Sequence, residues 1–411
     1  MNRPVARILW LVLGFLLLAG CSGNTVGTEN SAEISGKEVS AVNEVTEIAS
    51  AGQSGPIQEG EYWPTNGWRI STPEAHGMDS EKLAAFVEAA VNSGRFKSFV
   101  IVRDGYIVAE KYFGIKPDKR QRVYSVTKSV VSTLFGIAME EGKIESVDTK
   151  VLDCFPDTTF DHVDENKQNM TLENLLTMTS GLDWPYAGMQ DFSEWEDDPT
   201  KYVLDMEMAA APGHNFLYHN GTVEVLGEYI SQAVGEDISD YAAEKLFTPM
   251  GITGQFWTPT LNGQRDAACS GLCLTARDMA KYGYLYLHNG EWDGQQLVPA
   301  AWVQTSTNIH VGEEGNFDQY ISGYGYLWWV DANGCYSARG YQGQFVFVFP
   351  NLDMIVVVQA GFTGETDGVN NELIPEVLMN EYILPAVVSD EALPENPEAY
   401  ERLQALCATE S

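Results

Sequence analysis

Ser125-Val126-Thr127-Lys128 places a hydroxyl and an amine three residues apart at the start of an apolar, helix-patterned run. Residues three apart on a helix share a face, so the two groups fall within reach of each other. A serine hydroxyl is a poor nucleophile until a base takes its proton, and a neutral amine can be that base. Keeping an amine of reference pKa about 10.4 neutral near pH 7 takes roughly 4.6 kcal/mol, which burial, a neighbouring cation and a helix N-terminus can together supply. The plainer alternative is a capping serine and a surface lysine. Taken alone, the motif favours that alternative, because a chain of 411 residues can hold one such spacing by chance.

Other chemistries lack their residues. The chain has no Gly-x-Ser-x-Gly elbow, no Gly-x-Gly-x-x-Gly, no Walker loop and no His-Glu-x-x-His, so four common enzyme classes lose their usual support. Cys269 and Cys273 have no neighbouring His and no second pair at zinc spacing, so no metal site and no organic cofactor is expected. The 24 Lys and Arg against 58 Asp and Glu leave a formal net charge of −34, which repels phosphate backbones and anionic headgroups. Nucleic acid is excluded as a partner. At 44% hydrophobic and 11% aromatic, the chain has ample material for a core.

The elements that must position Ser125 and Lys128 can be read around them. Asp79 can cap a helix with Leu83, Phe86, Val87, Ala90 and Val91 on one apolar face and Gly94 at its end. A hairpin follows, residues 98–103 and 106–112 about an Asp104-Gly105 turn. The Ser125 helix runs to about residue 141, with Val126, Val130, Leu134, Ile137 and Ala138 inward. Near the end, strands at 345–349 and 354–359 flank Pro350-Asn351-Leu352-Asp353, and a helix is expected over 371–383. The middle reads as helices and long loops. This order predicts an α+β fold: an antiparallel sheet from both ends of the chain, flanked by terminal helices, with a mainly helical insertion. The expected boundaries are about 61–154 and 266–411 for the α/β part and 155–265 for the insertion.

Two later segments change the weight of the serine motif. Tyr218-His219-Asn220 follows a Pro212-Gly213 turn, and Gly340-Tyr341-Gln342-Gly343-Gln344 leads into the 345–349 strand. The order Ser-x-x-Lys, Tyr-x-Asn and a glycine-bearing edge strand resembles the serine β-lactamase and penicillin-binding-protein superfamily, in its β-lactamase/transpeptidase-like fold. It is most similar to the class C β-lactamase-related group that includes family VIII carboxylesterases, D-aminopeptidases and 6-aminohexanoate-dimer hydrolases. The similarity spans about residues 66–385 and includes Leu175-Leu176-Thr177-Met178-Thr179-Ser180-Gly181-Leu182 and Leu274-Thr275-Ala276-Arg277-Asp278-Met279-Ala280-Lys281-Tyr282-Gly283.

The resemblance implies roles. Ser125 is the acylated nucleophile, Lys128 its activating amine, and Tyr218 the phenol that passes a proton to the leaving group. Asn220 orients Lys128 or a substrate carbonyl, or else caps its helix, while His219 faces away in a structural role. Gly343 gives close approach, and the amide just past it, Gln344, joins the Ser125 amide as an oxyanion hole. Tyr341 then stands where β-lactamases and D,D-peptidases place a lysine that reads a substrate carboxylate. A phenol supplies no such charge. Arg339, two residues away on the same strand face, remains an alternative reader. Trp184, Tyr186, Trp195, Trp257 and Trp328-Trp329 are core or acyl-pocket candidates.

The N-terminus reads as an address. Arg3 and Arg7 precede an apolar run at 8–19, too short for a bilayer span of about 20 residues. It ends in Leu18-Ala19-Gly20-Cys21, which resembles a bacterial lipobox. Residues 1–20 are then a signal peptide, Cys21 carries lipid, and residues 21–60, without an aromatic side chain from 22 onward, form a disordered tether. Ser22 points to an outer-membrane lipoprotein facing the periplasm, touching membrane only through its lipid. That leaves Cys154, Cys269, Cys273, Cys335 and Cys407, enough for two disulfides at most. The expectation is a serine hydrolase forming an acyl-enzyme on Ser125 and cleaving small esters or amides. The alternatives are a D,D-peptidase or β-lactamase acting on peptidoglycan-like substrates, and a catalytically silent binding lipoprotein of the same fold.

Overall fold

The computed structural model describes residues 62–184, 198–260, 263, 265–317, 319–361 and 373–408, all within the compact unit Gln58–Ser411. The signal-peptide, Cys21 and tether readings, and those for Tyr186 and Trp195, lie outside the described residues.

Eight strands form the main sheet: β1 (Arg69–Ile70), β2 (Phe96–Arg103), β3 (Tyr106–Tyr112), β4 (Ile321–Tyr324), β5 (Trp329–Asp331), β6 (Tyr336–Gly340), β7 (Gln344–Phe349) and β8 (Met354–Ala360). Their order is β1-β3-β2-β8-β7-β6-β5-β4, antiparallel except for the β1–β3 pair. The two ends of the chain meet where β2 pairs β8, Ile101 opposite Val356. β2, β7 and β8 are apolar on both faces because helices cover both, which is why Phe99-Val100-Ile101-Val102 and Ile355-Val356-Val357-Val358 run without alternation. The β2–β3 turn takes positive φ at Asp104 and Gly105, as its sequence demands.

One face of the sheet is covered by α1 (Ser80–Ser93), by the segment running from Ile374 through Ala386, and by the last helix, Pro397–Cys407. Asp79 accepts from the Glu81 and Lys82 amides and Gly94 closes α1 in the left-handed region. Val91, expected on the apolar face, is instead 48% exposed. At 100° per residue it lies about 80° round from Leu83, on the flank of the stripe rather than in it. The expected 371–383 helix is described from Ile374, contains one wide turn at Met379–Ile383 and continues to Ala386.

The other face carries α2 (Val126–Glu140) and α4 (Ala276–Leu287), with α4 against β7, β8 and β2, while α3 (Asn220–Val234) packs on α2. Every residue of α2 from 126 to 138 is buried, not one face alone. Ser129 donates to the Leu327 carbonyl and Thr133 bonds the Tyr282 and Tyr286 hydroxyls, whereas the buried Ser132 Oγ has no hydrogen-bond partner among the described residues. Between α2 and α4 lie the short helices Glu165–Asn169, Leu172–Leu176, Pro199–Leu204 and Ile238–Ala242, together with α3. One apolar core runs continuously from Val100 and Val357 of the sheet through Leu175, Val223 and Tyr241 of that helical region. A small sheet stitches it to both flanks, Leu272–Leu274 pairing with Gln121–Arg122 and Phe256–Trp257. Among the described residues no disulfide forms: Cys154, Cys269, Cys273 and Cys335 are buried thiols and Cys407 is half-buried.

Candidate active site

Tyr124 turns the chain with φ of +48°, an uncommon conformation for a bulky residue that costs of order 1 kcal/mol and recurs at functional sites. It delivers Ser125, half-buried, to the first position before α2. Ser125 makes no side-chain cap; its Oγ instead accepts from Lys128 Nζ at 2.9 Å. Lys128 is 1% exposed, and its ammonium also donates to the Cys269 carbonyl at 2.8 Å. The capping serine and surface lysine are therefore both ruled out by geometry. The Ser125 amide opens the helix, so it belongs to the first-turn donors that have no acceptor within α2.

Tyr218 enters from the start of α3, its ring centroid 5.1 Å from Lys128 Nζ. Sequence alone left Asn220 as a helix cap or as the orienter of Lys128 or of a substrate carbonyl; the cap and the Lys128 contact fall to other residues. His219 is the cap, its Nδ1 accepting from the Thr222 amide at 3.2 Å, and Lys128 is bonded to Cys269 rather than to Asn220. The Asn220 Oδ1 is buried with no hydrogen-bond partner among the described residues. His219, expected in a structural role, is fully buried against the Trp184 ring, centroids 3.9 Å apart, and burial pushes its pKa down to about 3.

The edge-strand glycine is a correction. Gly343 sits at φ of +84° in the β6–β7 turn, and a Cβ there would meet Ala360 and Pro375, not Ser125. Gln344 pairs with Gly340 in the ladder, its side-chain amide donating to the Ala360 carbonyl at 2.8 Å. The glycine pressed against the serine is Gly340, where a Cβ would lie 2.2 Å from the Val123 carbonyl oxygen and 3.2 Å from the Ser125 nitrogen. The residue just past that glycine is Tyr341, whose ring lies edge-on to Tyr124 at 5.5 Å. The sequence offers two glycines three apart, and only the register of β6 on β7 tells them apart.

Arg339 does not reach the site as a free cation. Its guanidinium pairs with Asp331 and with Glu376, the latter at 2.8 Å, and its Nε donates to Ser337. Of the tryptophans, Trp184, Trp257 and Trp328 are core, whereas Trp329 is half-buried and stacks on Tyr218. Phe216, Phe317 and Tyr324 extend that aromatic wall. Sequence reasoning missed Tyr124, Gly340 and the Cys269 carbonyl; the first two carry no type signal, and a backbone acceptor carries none at all. The buried thiols are inert, that of Cys269 pushed up to about 12 by burial. Among the described residues, no group of three or more His, Cys, Asp and Glu is gathered to hold a metal ion.

A hydroxyl bonded to a buried amine, a phenol ring beside that amine and a strand edge within backbone contact of the serine come together on a β-lactamase/transpeptidase-like fold. The Beta-lactamase family profile matches residues 83–378. The chain belongs to the Beta-lactamase family of hydrolases. A 6-aminohexanoate-dimer hydrolase of Paenarthrobacter ureafaciens is 25% identical over 287 residues, 63% of this chain and 71% of that one. A solved Bacillus anthracis protein, named as a candidate 6-aminohexanoate-dimer hydrolase, has a TM-score of 0.65 at 20% identity over 82% of this chain and 91% of its own. EstCE1, described as a hydrolase with promiscuous acyltransferase activity, has a TM-score of 0.59 at 18% identity over 75% of this chain and 99% of its own.

Proposed function

We propose that the protein is a serine hydrolase that forms an acyl-enzyme on Ser125 and cleaves small, neutral esters or amides. The observation that carries this reading is the 2.9 Å bond between the buried Lys128 Nζ and the half-buried Ser125 Oγ. Lys128 takes the hydroxyl proton as Oγ attacks the carbonyl carbon; Tyr218, over the amine, relays a proton to the departing alkoxide or amine. Water, activated by the same groups, then releases the acid. The amides of Ser125 and Tyr341 are the proposed oxyanion donors, since Gly340 is the glycine at the serine and Tyr341 is the residue past it.

The register set by Gly340 moves the carboxylate-reading position of the lactamase motif from Tyr341 to Ala338, which is buried and has no charge. Arg339 is held by two carboxylates. A missing charge-assisted hydrogen bond costs roughly 1.5 to 3 kcal/mol, so β-lactams and D-alanyl carboxylates are the poorer substrates. The test sets a nitrophenyl butyrate, a chromogenic cephalosporin and a D-alanyl amide side by side. The ester leads in kcat/KM on this reading. A cephalosporin turned over faster than the ester would favour the D,D-peptidase or β-lactamase alternative. Binding without turnover would favour the silent lipoprotein.

The lipoprotein reading belongs to the same proposal. No helix of the described residues is long and apolar enough to cross a membrane. Cys21→Ser should release the folded domain from membranes or leave an unprocessed precursor, and mature wild type found free in the periplasm would overturn it.

A further inference from the structure

Beneath Lys128 lies a carboxylate that the serine chemistry does not itself use. Glu224, one turn into α3 from Asn220, is buried. It accepts from the Ala268 amide at 3.1 Å through one oxygen and from the Cys269 amide at 2.9 Å through the other. Cys269 is also the residue whose carbonyl accepts from Lys128 at 2.8 Å. It is thus held at both ends, by Glu224 through its N–H and by Lys128 through its C=O. A buried carboxylate costs several kcal/mol of lost hydration unless hydrogen bonds and a counter-charge offset it.

The groups facing Glu224 are few. Lys128 comes from α2 and the Cys269 thiol from the clamped segment. A cavity of about 40 Å³ on its other side is lined by Glu228, Asp237, Arg265 and Asp266. Arg265 is occupied by Glu228 at 3.0 Å, and Asp266 accepts from the Ser239 amide. Lys128 is the cation whose charge acts on Glu224, opposing the rise that burial imposes on its carboxyl.

We propose that Glu224 is a positioning residue for Lys128: by gripping the 268–269 amides it fixes the Cys269 carbonyl, and that carbonyl holds the amine against Ser125 Oγ. The inference rests on the Ser125–Lys128 reading. Glu224 touches neither the serine nor a substrate, so its effect falls on the acylation step rather than on binding.

Glu224→Gln tests it, because an amide has one oxygen to offer two N–H donors and presents its own N–H to the second. The readouts are the rate of fluorophosphonate labelling of Ser125 and ester kcat and KM. Loss of the clamp should slow labelling and kcat about tenfold to a hundredfold with KM little changed, as misplacement of a reacting group by about 1 Å does. Glu224→Asp draws the carboxylate back from the two amides and should also slow labelling and kcat with KM little changed. Wild-type rates in Glu224→Gln would overturn the proposal. If Glu224→Gln fails to fold, Glu224→Asp alone decides: a slower kcat at unchanged KM supports the clamp, and an unchanged kcat refutes it. Absence of labelling in wild type would instead sink the serine-hydrolase reading itself.

Discussion

Tyr218 lies nearly parallel to Trp329, ring centroids 5.8 Å and planes 21° apart, with Lys128 Nζ on Tyr218 at 5.1 Å. The Tyr218 ring therefore contacts both an amine and an indole, one from α2 and one from strand β5. Stacked aromatic pairs contribute about 0.5–1.5 kcal/mol beyond their buried area, and here that energy fixes the plane of the proposed proton relay. Trp329→Ala should lower ester kcat by about threefold to tenfold, in line with that energy, and leave fluorophosphonate labelling of Ser125 detectable. Steady-state rates on one ester measure it; a kcat equal to wild type would show that the stack does not position the phenol.

Gly340 and Gly343 separate by mutation. A methyl at Gly340 must displace the Val123 carbonyl, 2.2 Å away, and with it the turn that delivers Ser125. Gly340→Ala should therefore lose about a hundredfold or more in labelling rate, the scale of a misplaced reacting group. Gly343→Ala brings a methyl to 3.1 Å from Ala360 and 3.2 Å from Pro375, closer than ordinary contact, and must hold φ of +84°, so it should lower the melting temperature and leave the labelling rate near wild type. The reverse pattern would restore Gly343 to the site.

These two glycines show where the sequence was legible and where it stopped. Ser125, Lys128, Asp79, Gly94 and the Asp104-Gly105 turn were readable because each is a side chain or a φ requirement that local chemistry dictates. Which glycine faces the serine depends on a strand pairing more than two hundred residues from α2, and nothing local encodes it. The burial of α2 on all sides was equally hidden, since its Ser and Thr residues read as a polar face until Leu327, Tyr282 and Tyr286 supply their partners. The last helix was a different kind of miss: Asn396-Pro397 is a legible start, Asn396 accepting from the Ala399 amide, but it follows the span the resemblance covers.

His219 sets an acid limit on the fold. Burial holds its pKa near 3 in the folded chain against an ordinary 6.5, so the unfolded chain takes a proton that the folded one refuses. That stability is whole above about pH 6.5 and is lost as pH falls toward 3, about 2 kcal/mol of it by pH 5 at 1.36 kcal/mol per pKa unit. His219→Asn keeps an acceptor for the Thr222 amide and cannot be protonated. Urea unfolding at pH 7 and pH 5 should show the variant losing about 2 kcal/mol less than wild type between the two. Equal losses would contradict the burial of a neutral imidazole.

Arg339 should matter for folding and not for substrate choice. Removing it leaves Asp331 and Glu376 buried without their cation, which costs roughly 3–5 kcal/mol. Arg339→Met is expected to lower the urea midpoint sharply while the ratio of ester to cephalosporin turnover stays as in wild type. A stable variant with a changed ratio would reinstate Arg339 as a carboxylate reader.

The central claim is that Ser125 is acylated with Lys128 as its base. The most direct measurement is the mass of the protein after brief exposure to a fluorophosphonate, with the labelled peptide sequenced. The account requires one adduct, on the peptide holding Ser125, absent in Ser125→Ala and formed far more slowly in Lys128→Ala. An adduct that persists in Ser125→Ala, or a wild type that takes no label, would contradict it.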